Sequence, residues 1–296
     1  MKQTWFITGS SRGLGKALAR AALSAGHSVA ATARNPEQLA DLVAEFGDNV
    51  LPLALDVTDP ARVEQALSDT VENFGRIDVL VNNAGYANVA PIESGSPEDF
   101  RAQFETNFWG VYNVSRAAVP ILRKQESGLI VQISSIGGRV GSSPGIGSYQ
   151  AAKFAIDGFS RVLRAEVSPF GVRVLVVEPS GFNTDWAGSS MTIHDVPDSY
   201  AETVGTMNSI KRQGSGMSPG VPERAGEILV RLAQGNDIPN NLALGVIASD
   251  MAVAHSNRLL VDDRKWAEIS RSADAGQPYP VALPVNSPDL AETFES

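Results

Sequence analysis

Tyr149 and Lys153 stand four residues apart in a stretch that reads as a helix, so their side chains share a face and can enter one site. A phenol with a pKa of about 10 carries protons poorly at neutral pH, but a nearby ammonium favours the phenolate and draws that value toward the working range. The pair is suited to moving a proton to or from an oxygen, although alone it reads equally as two solvated residues on a helix. A second group, Thr8-Gly9-Ser10-Ser11-Arg12-Gly13-Leu14-Gly15, lies where the first strand-like run gives way to a helical one. Gly9 permits a tight bend, Gly13 lets backbone approach a pyrophosphate, Gly15 lets helix pack on strand, and the free N–H groups of the helix start favour an anion. Asn107 shares a helical face with Phe104 and Val111, which Phe100 and Phe108 mark as apolar, and a buried amide must be satisfied.

Positioning these groups requires a scaffold, and the hydropathy pattern supplies one. Short β-branched runs near 4–8, 27–33, 50–55, 78–82, 128–134 and 172–178 alternate with amphipathic stretches at 13–25, 36–46, 60–74, 97–124 and 149–168. That alternation predicts an α/β fold, a doubly wound parallel sheet with helices on both faces. Val174-Leu175-Val176-Val177 is apolar throughout, as a strand buried on both faces should be. Asp59-Pro60 and Ser96-Pro97 are helix-start signals. The stretch 180–221, rich in Gly, Ser and Met, interrupts the alternation, and a lid is expected over 182–215. A helix near 222–234, a strand near 242–247 and a helix near 250–271 follow. Residues 1–272 are expected to form one domain, with 273–296 as a tail.

Composition narrows the function. The 296 residues are 43% hydrophobic and 19% charged, a globular mixture. Twenty-four basic against thirty-three acidic side chains give −9, which disfavours a nucleic-acid or anionic-membrane partner. Without cysteine, and with only the scattered His27, His194 and His255, no metal-ligand spacing is present and no metal is expected. No apolar run approaches the roughly 20 residues of a membrane span, and the chain is expected to be cytoplasmic.

The spacing Thr-Gly-x3-Gly-x-Gly resembles the fingerprint of the short-chain dehydrogenase/reductase family, and other motifs of that family follow in order over about residues 1–250. Asp56-Val57 resembles the pair that contacts adenine. Asn82-Asn83-Ala84-Gly85 resembles the family's Asn-Asn-Ala-Gly, and Tyr149-x3-Lys153 its catalytic pair. Pro179-Ser180-Gly181 with Thr184 is similar to the nicotinamide-side segment. The resemblance implies a Rossmann-type fold and a nicotinamide cofactor held by Gly9, Ser11, Arg12, Gly13, Leu14, Gly15, Asp56, Val57, Asn83, Ala84, Gly85, Pro179, Gly181 and Thr184. It further implies that Tyr149 gives or takes the proton, that Ser135 holds the substrate oxygen, that Lys153 also binds the nicotinamide ribose, and that Asn107 holds a water in a proton relay. The length and the C-terminal helix look like the 17β-hydroxysteroid-dehydrogenase-like branch.

NADP(H) is the expected cofactor. The second strand ends Ala31-Thr32-Ala33-Arg34, with Ala33 where an NAD enzyme carries an acid and Arg34 placed to accept a 2′-phosphate. Relatives place the serine thirteen residues before the tyrosine, but that position here is Ile136; Ser135 lies fourteen before, which implies one extra residue within Gly141–Gly145. The expected activity is hydride transfer between nicotinamide and a carbonyl or secondary alcohol. Candidate walls at Tyr86–Glu93, Gly141–Gly147 and the lid, with Trp186, Met191, Ile193, Val196, Tyr200 and Met207, favour a hydrophobic substrate. A non-redox epimerase or dehydratase relative and an NADP-sensing protein are the alternatives. Relatives commonly pair the helices near 97–124 and 149–168, so a homodimer or homotetramer is expected.

Overall fold

Apolar runs of four to eight residues cannot form a stable helix alone, but they can bury both faces in a parallel sheet. The computed structural model describes residues 1–184, 191–213 and 219–284 and shows this arrangement. The elements are β1 (Thr4–Ile7), α1 (Gly13–Ser24), β2 (Ser28–Ala33), α2 (Ala40–Phe46), β3 (Val50–Ala54), α3 (Pro60–Phe74), β4 (Val79–Asn82), α4 (Pro97–Phe104), α5 (Gly110–Gln125) and β5 (Gly128–Ile133). They continue with α6 (Gly147–Val167), β6 (Val172–Pro179), α7 (Thr206–Gln213), α8 (Pro222–Gln234), β7 (Asn241–Leu244) and α9 (Val246–Arg271). The strands form one parallel sheet in the order β3-β2-β1-β4-β5-β6-β7, the Rossmann-type order with its switch point between β1 and β4.

Strand alternation sends successive side chains to opposite layers. Trp5, Ile7, Val29, Ala31, Val79, Val81, Leu175 and Val177 pack on one face with Leu18 and Ala22 of α1 and Leu229 of α8. Phe6, Ala30, Leu80, Ile130 and Val174 pack on the other with Leu67 of α3, Val114 and Leu122 of α5 and Leu163 of α6. Asp59 caps α3 through the N–H groups of Ala61 and Arg62, and Ser96 caps α4 through those of Glu98 and Asp99.

Several boundaries differ from the sequence pattern. The helix expected over 36–46 starts as a 3₁₀ turn at Pro36–Leu39, and the one expected from 149 starts at Gly147. The helix expected over 97–124 is interrupted at Glu105–Trp109 by a π-helical turn, where Asn107 sits. The last strand stops at Leu244 rather than 247, because Gly245 takes a φ of +103° and the chain turns directly into α9. By its contacts the chain divides into two units, Met1–Ala248 and a second from Ser249 onward, whereas the expected boundary stood at 272/273.

At the N-terminal end of the sheet, His27 is buried and stacks on Trp5 with ring centroids 6.2 Å apart. Gln3 donates its N–H to His27 Nδ1 at 3.1 Å, which requires that nitrogen to be unprotonated. Burial, followed by the charge of the N-terminal amine, holds the His27 pKa below 6.5. A depressed folded-state pKa means that the unfolded chain binds the proton first. The contribution to stability is therefore complete above 6.5 and is lost as pH falls from there through the folded value. Urea midpoints are expected to drop between about pH 7.5 and about pH 5.5, and His27→Gln is expected to flatten that slope.

Candidate active site

The site forms at the switch point, where β1 and β4 end side by side. Thr8 Oγ1 accepts hydrogen bonds from the N–H groups of Asn83 (2.9 Å) and Ala84 (3.0 Å). Asn83 Nδ2 donates in return to the carbonyls of Thr8 (2.9 Å) and Gly9 (3.0 Å). The expected cofactor ligand Asn83 thus uses its amide to clasp the two strand ends, together with Thr8, the first residue of the glycine motif. A Cβ on Gly15 would run into Asn83 Nδ2 and the Gly9 carbonyl. Gly9 and Gly13 take φ of +69° and +55°. The cradle fits a pyrophosphate: its glycines hold side chains away from the α1 N-terminus, whose first turn carries no acidic residue. Thr184 lies across from Gly13, 3.6 Å from where a Cβ there would stand, so the two lips of the cradle meet.

The remaining expected cofactor residues lie around this cradle in different ways. Leu14 turns into the core beside β1, leaving only its backbone toward the loop. Ser11 is half-buried, and Arg12 is the exposed residue preceding α1. Arg34 is exposed just beyond the end of β2. Asp56 Oδ1 accepts from the N–H and hydroxyl of Thr58, and Val57 is buried against Gly110 of α5. Pro179 ends β6, and Gly181 and Asn183 are joined to Gly220 by backbone hydrogen bonds. Residues 185–190, Trp186 among them, and 214–215 of the expected lid lie outside the described residues.

On the other side of the switch point, α6 brings Tyr149 and Lys153 beneath the end of β5. Tyr149 is hydrogen-bonded to Ser135, whose Oγ also accepts the Gly137 N–H at 3.1 Å. Ser134 donates to the Lys153 carbonyl at 3.1 Å. The loop between Ser135 and α6 turns through positive φ at Gly141, Ser142 and Gly145, which gives room for the extra residue. Lys153 Nζ donates to the Ile133 carbonyl at 2.7 Å and lies 5.5 Å from the Tyr149 ring centroid. Asn107, fully buried, pairs with the Tyr86 backbone through Oδ1 (3.1 Å) and Nδ2 (2.8 Å). A Cβ on Gly85 would approach Asn107 Oδ1 to 2.5 Å, so glycine is needed there. The Asn107 side chain therefore shapes the segment after β4.

A family model described as short chain dehydrogenase matches residues 3–192. The chain belongs to the short-chain dehydrogenase/reductase family. It is 49% identical to "Oxidoreductase BOA17" of Botryotinia fuckeliana, over 91% of this chain and 98% of that protein. It is 38% identical to an "NADPH-dependent pterin aldehyde reductase" of Arabidopsis thaliana, over 69% of this chain and 87% of that protein. A solved short-chain dehydrogenase from Streptomyces avermitilis superposes with a TM-score of 0.85 at 36% identity, covering 92% of this chain and 98% of its own. Like these relatives, the protein is an oxidoreductase of this family, and its site handles carbonyl or alcohol groups. Among the described residues no cluster of His, Asp and Glu could hold a metal, and no helix is long and apolar enough to cross a membrane.

The electrostatics of this dehydrogenase depart from the sequence expectation. Burial pushes Tyr149 up to about 12, with the Ser135 hydrogen bond acting the other way, and burial brings Lys153 down to about 8. Desolvation is the largest cause for both groups, which are packed under the sheet. Ser135→Ala is expected to lower turnover about 10²-fold, the scale of one lost donor to a developing oxyanion. Ser134→Ala, which removes only a bond to the helix backbone, should be clearly milder, and steady-state kinetics of both variants on one ketone compare them.

Proposed function

We propose that the protein is an NADP(H)-dependent oxidoreductase that interconverts a hydrophobic ketone or aldehyde and its alcohol. The observation carrying this reading is the hydrogen-bonded pair of Ser135 and Tyr149 hydroxyls, with the Lys153 ammonium on the same helix face. A nicotinamide dinucleotide held by its pyrophosphate at the glycine cradle would supply or accept the hydride. In the reductive direction Ser135 donates a hydrogen bond to the substrate oxygen and Tyr149 gives it a proton. A phenol held at about 12 is protonated at neutral pH, so the donation needs a neighbouring charge to stabilise the phenolate. Lys153, charged below about 8, stabilises the phenolate that remains and would hold the nicotinamide ribose. A protein that only sensed the cofactor would have no use for a proton donor paired with a second hydroxyl.

The apolar preference follows from what surrounds the tyrosine. Ala87, Val89, Ile146, Tyr149 and Val204 form a small cluster against which Met191, Ile193, Val196 and Tyr200 pack. NADP(H) is favoured by Arg34 and Arg12, two exposed guanidinium groups beside a strand end that carries no acid. The NADPH dependence in the name of the Arabidopsis relative points the same way. Exposed Phe100, Trp109, Phe154 and Val162 on α4, α6 and the π turn support association of two or four copies through these helices.

Oxidation of NADPH in the presence of a panel of ketones and aldehydes tests the activity directly. On the best substrate Tyr149→Phe is expected to lose about 10²–10⁴ in turnover with cofactor affinity nearly intact. The wild-type reductive rate should decline as pH rises past about 8, where Lys153 loses its charge. NADPH should bind more tightly than NADH, and Arg34→Asp should reduce or invert the preference by roughly 10- to 150-fold, measured as dissociation constants.

A further inference from the structure

Carboxylates only accept hydrogen bonds, so a half-buried one dictates how the amides around it are turned. Asp99, on the first turn of α4, accepts from Asn88 Nδ2 at 2.6 Å and from Gln103 Nε2 at 2.9 Å, and lies 3.5 Å from His194 Nε2. Each of these amides then has its oxygen on the far side. Gln103 Oε1 accepts the Asn88 N–H at 2.8 Å, and Asn88 Oδ1 accepts the Thr192 N–H at 3.1 Å. Gln103 is almost fully buried, which leaves its amide little freedom to turn. One carboxylate therefore sets the orientation of two amides and, through them, the backbone of two segments far apart in sequence.

These segments flank the catalytic tyrosine. Residues 88–90 form the middle line of three extended segments, with Val89 beside Ile193 and Ala90 beside Ile146. Val89 donates its N–H to Thr192 at 2.8 Å and accepts from His194 at 3.0 Å, while Ala90 donates to Gly145 at 2.9 Å. This places Met191 and Ile193 on the cluster that holds Tyr149. Asn88, Asp99 and Gln103 also line a cavity of about 290 Å³ that reaches Gly145 and Ser148, just before the tyrosine.

We infer that Asp99 is the positioning residue that fixes the 191–196 segment as a wall of the substrate site, with His194 and Asn88 as its contacts to that segment. The inference rests on the proposed reductase activity and adds which residues decide how an apolar substrate is held. Asp99 lies outside the Ser135–Tyr149–Lys153 group and acts on binding rather than on proton transfer. Asp99→Asn sets a new donor among groups that already donate, and His194→Ala removes one contact from an exposed position.

Both variants should raise KM for an apolar ketone, by about 5- to 10-fold for Asp99→Asn, with kcat and the NADPH dissociation constant within about twofold of wild type. The double variant should be no worse than Asp99→Asn alone, since both changes break one network. Hydrogen exchange on the cofactor-free protein gives a readout independent of activity: amides of 191–196 should exchange faster in both variants, with those of β1 and β4 unchanged. A fall in kcat at constant KM, additive effects, or unchanged exchange at 191–196 in His194→Ala would each overturn the inference. Faster exchange in a protein whose wild type reduces no carbonyl compound would instead overturn the proposed activity and leave the positioning intact.

Discussion

The joint between Thr8 and Asn83 holds the site together. Two parallel strands that part company at a switch point leave their last N–H and carbonyl groups unpaired, and the crevice between them is useful only if it keeps a fixed width. Thr8 Oγ1 takes up two N–H groups of the β4 end, and the Asn83 amide takes up two carbonyls of the β1 end. The joint brings Asn83 Nδ2 so close to α1 that only glycine is admitted at position 15. The glycine pattern, the α1 N-terminus and the segment running on to Tyr86 all depend on this reciprocal bonding. Asn107 extends it by pairing with the next backbone unit.

Catalysis at such a crevice needs titratable groups in a place that disfavours charge. Lys153 and Tyr149 are both packed under the sheet, and burial moves their pKa values apart, the phenol upward and the ammonium downward. The phenol is therefore protonated at neutral pH, and forming its phenolate depends on groups beside it that can stabilise the charge. Anchoring is correspondingly strong. Lys153 is held by the Ile133 carbonyl, and the loop that follows Ser135 is tied to the sheet by Arg139, which meets the buried Glu178 at 3.0 Å. Asn241 of β7 completes the shell of that carboxylate, so a charge with almost no exposure is satisfied on both oxygens.

Substrate selection is built differently, from small apolar contacts and a single polar hub. The cluster around Tyr149 draws on four separate stretches of chain, near 87, 146, 192 and 204. Dispersed contacts of this kind give an adaptable wall, and it is the hydrogen-bonded line through residues 88–90 that keeps the wall in register. Tyr200 reinforces it through a hydrogen bond to Glu93.

Much of this was written in local sequence. Strand and helix order, the capping residues Asp59 and Ser96, the glycine turn and the four-residue spacing of Tyr149 and Lys153 are all set by interactions within a few positions, and periodicity exposes such interactions directly. What only the tertiary structure decided involves partners distant along the chain. Asn83 works on residues 74 and 75 positions earlier, and Asn88 meets Thr192 across 104 positions. Position 99 reads simply as a charged residue at a helix start, and nothing in its neighbours in sequence announces His194. The upward shift of Tyr149 has the same origin, because burial is a property of the assembled layers.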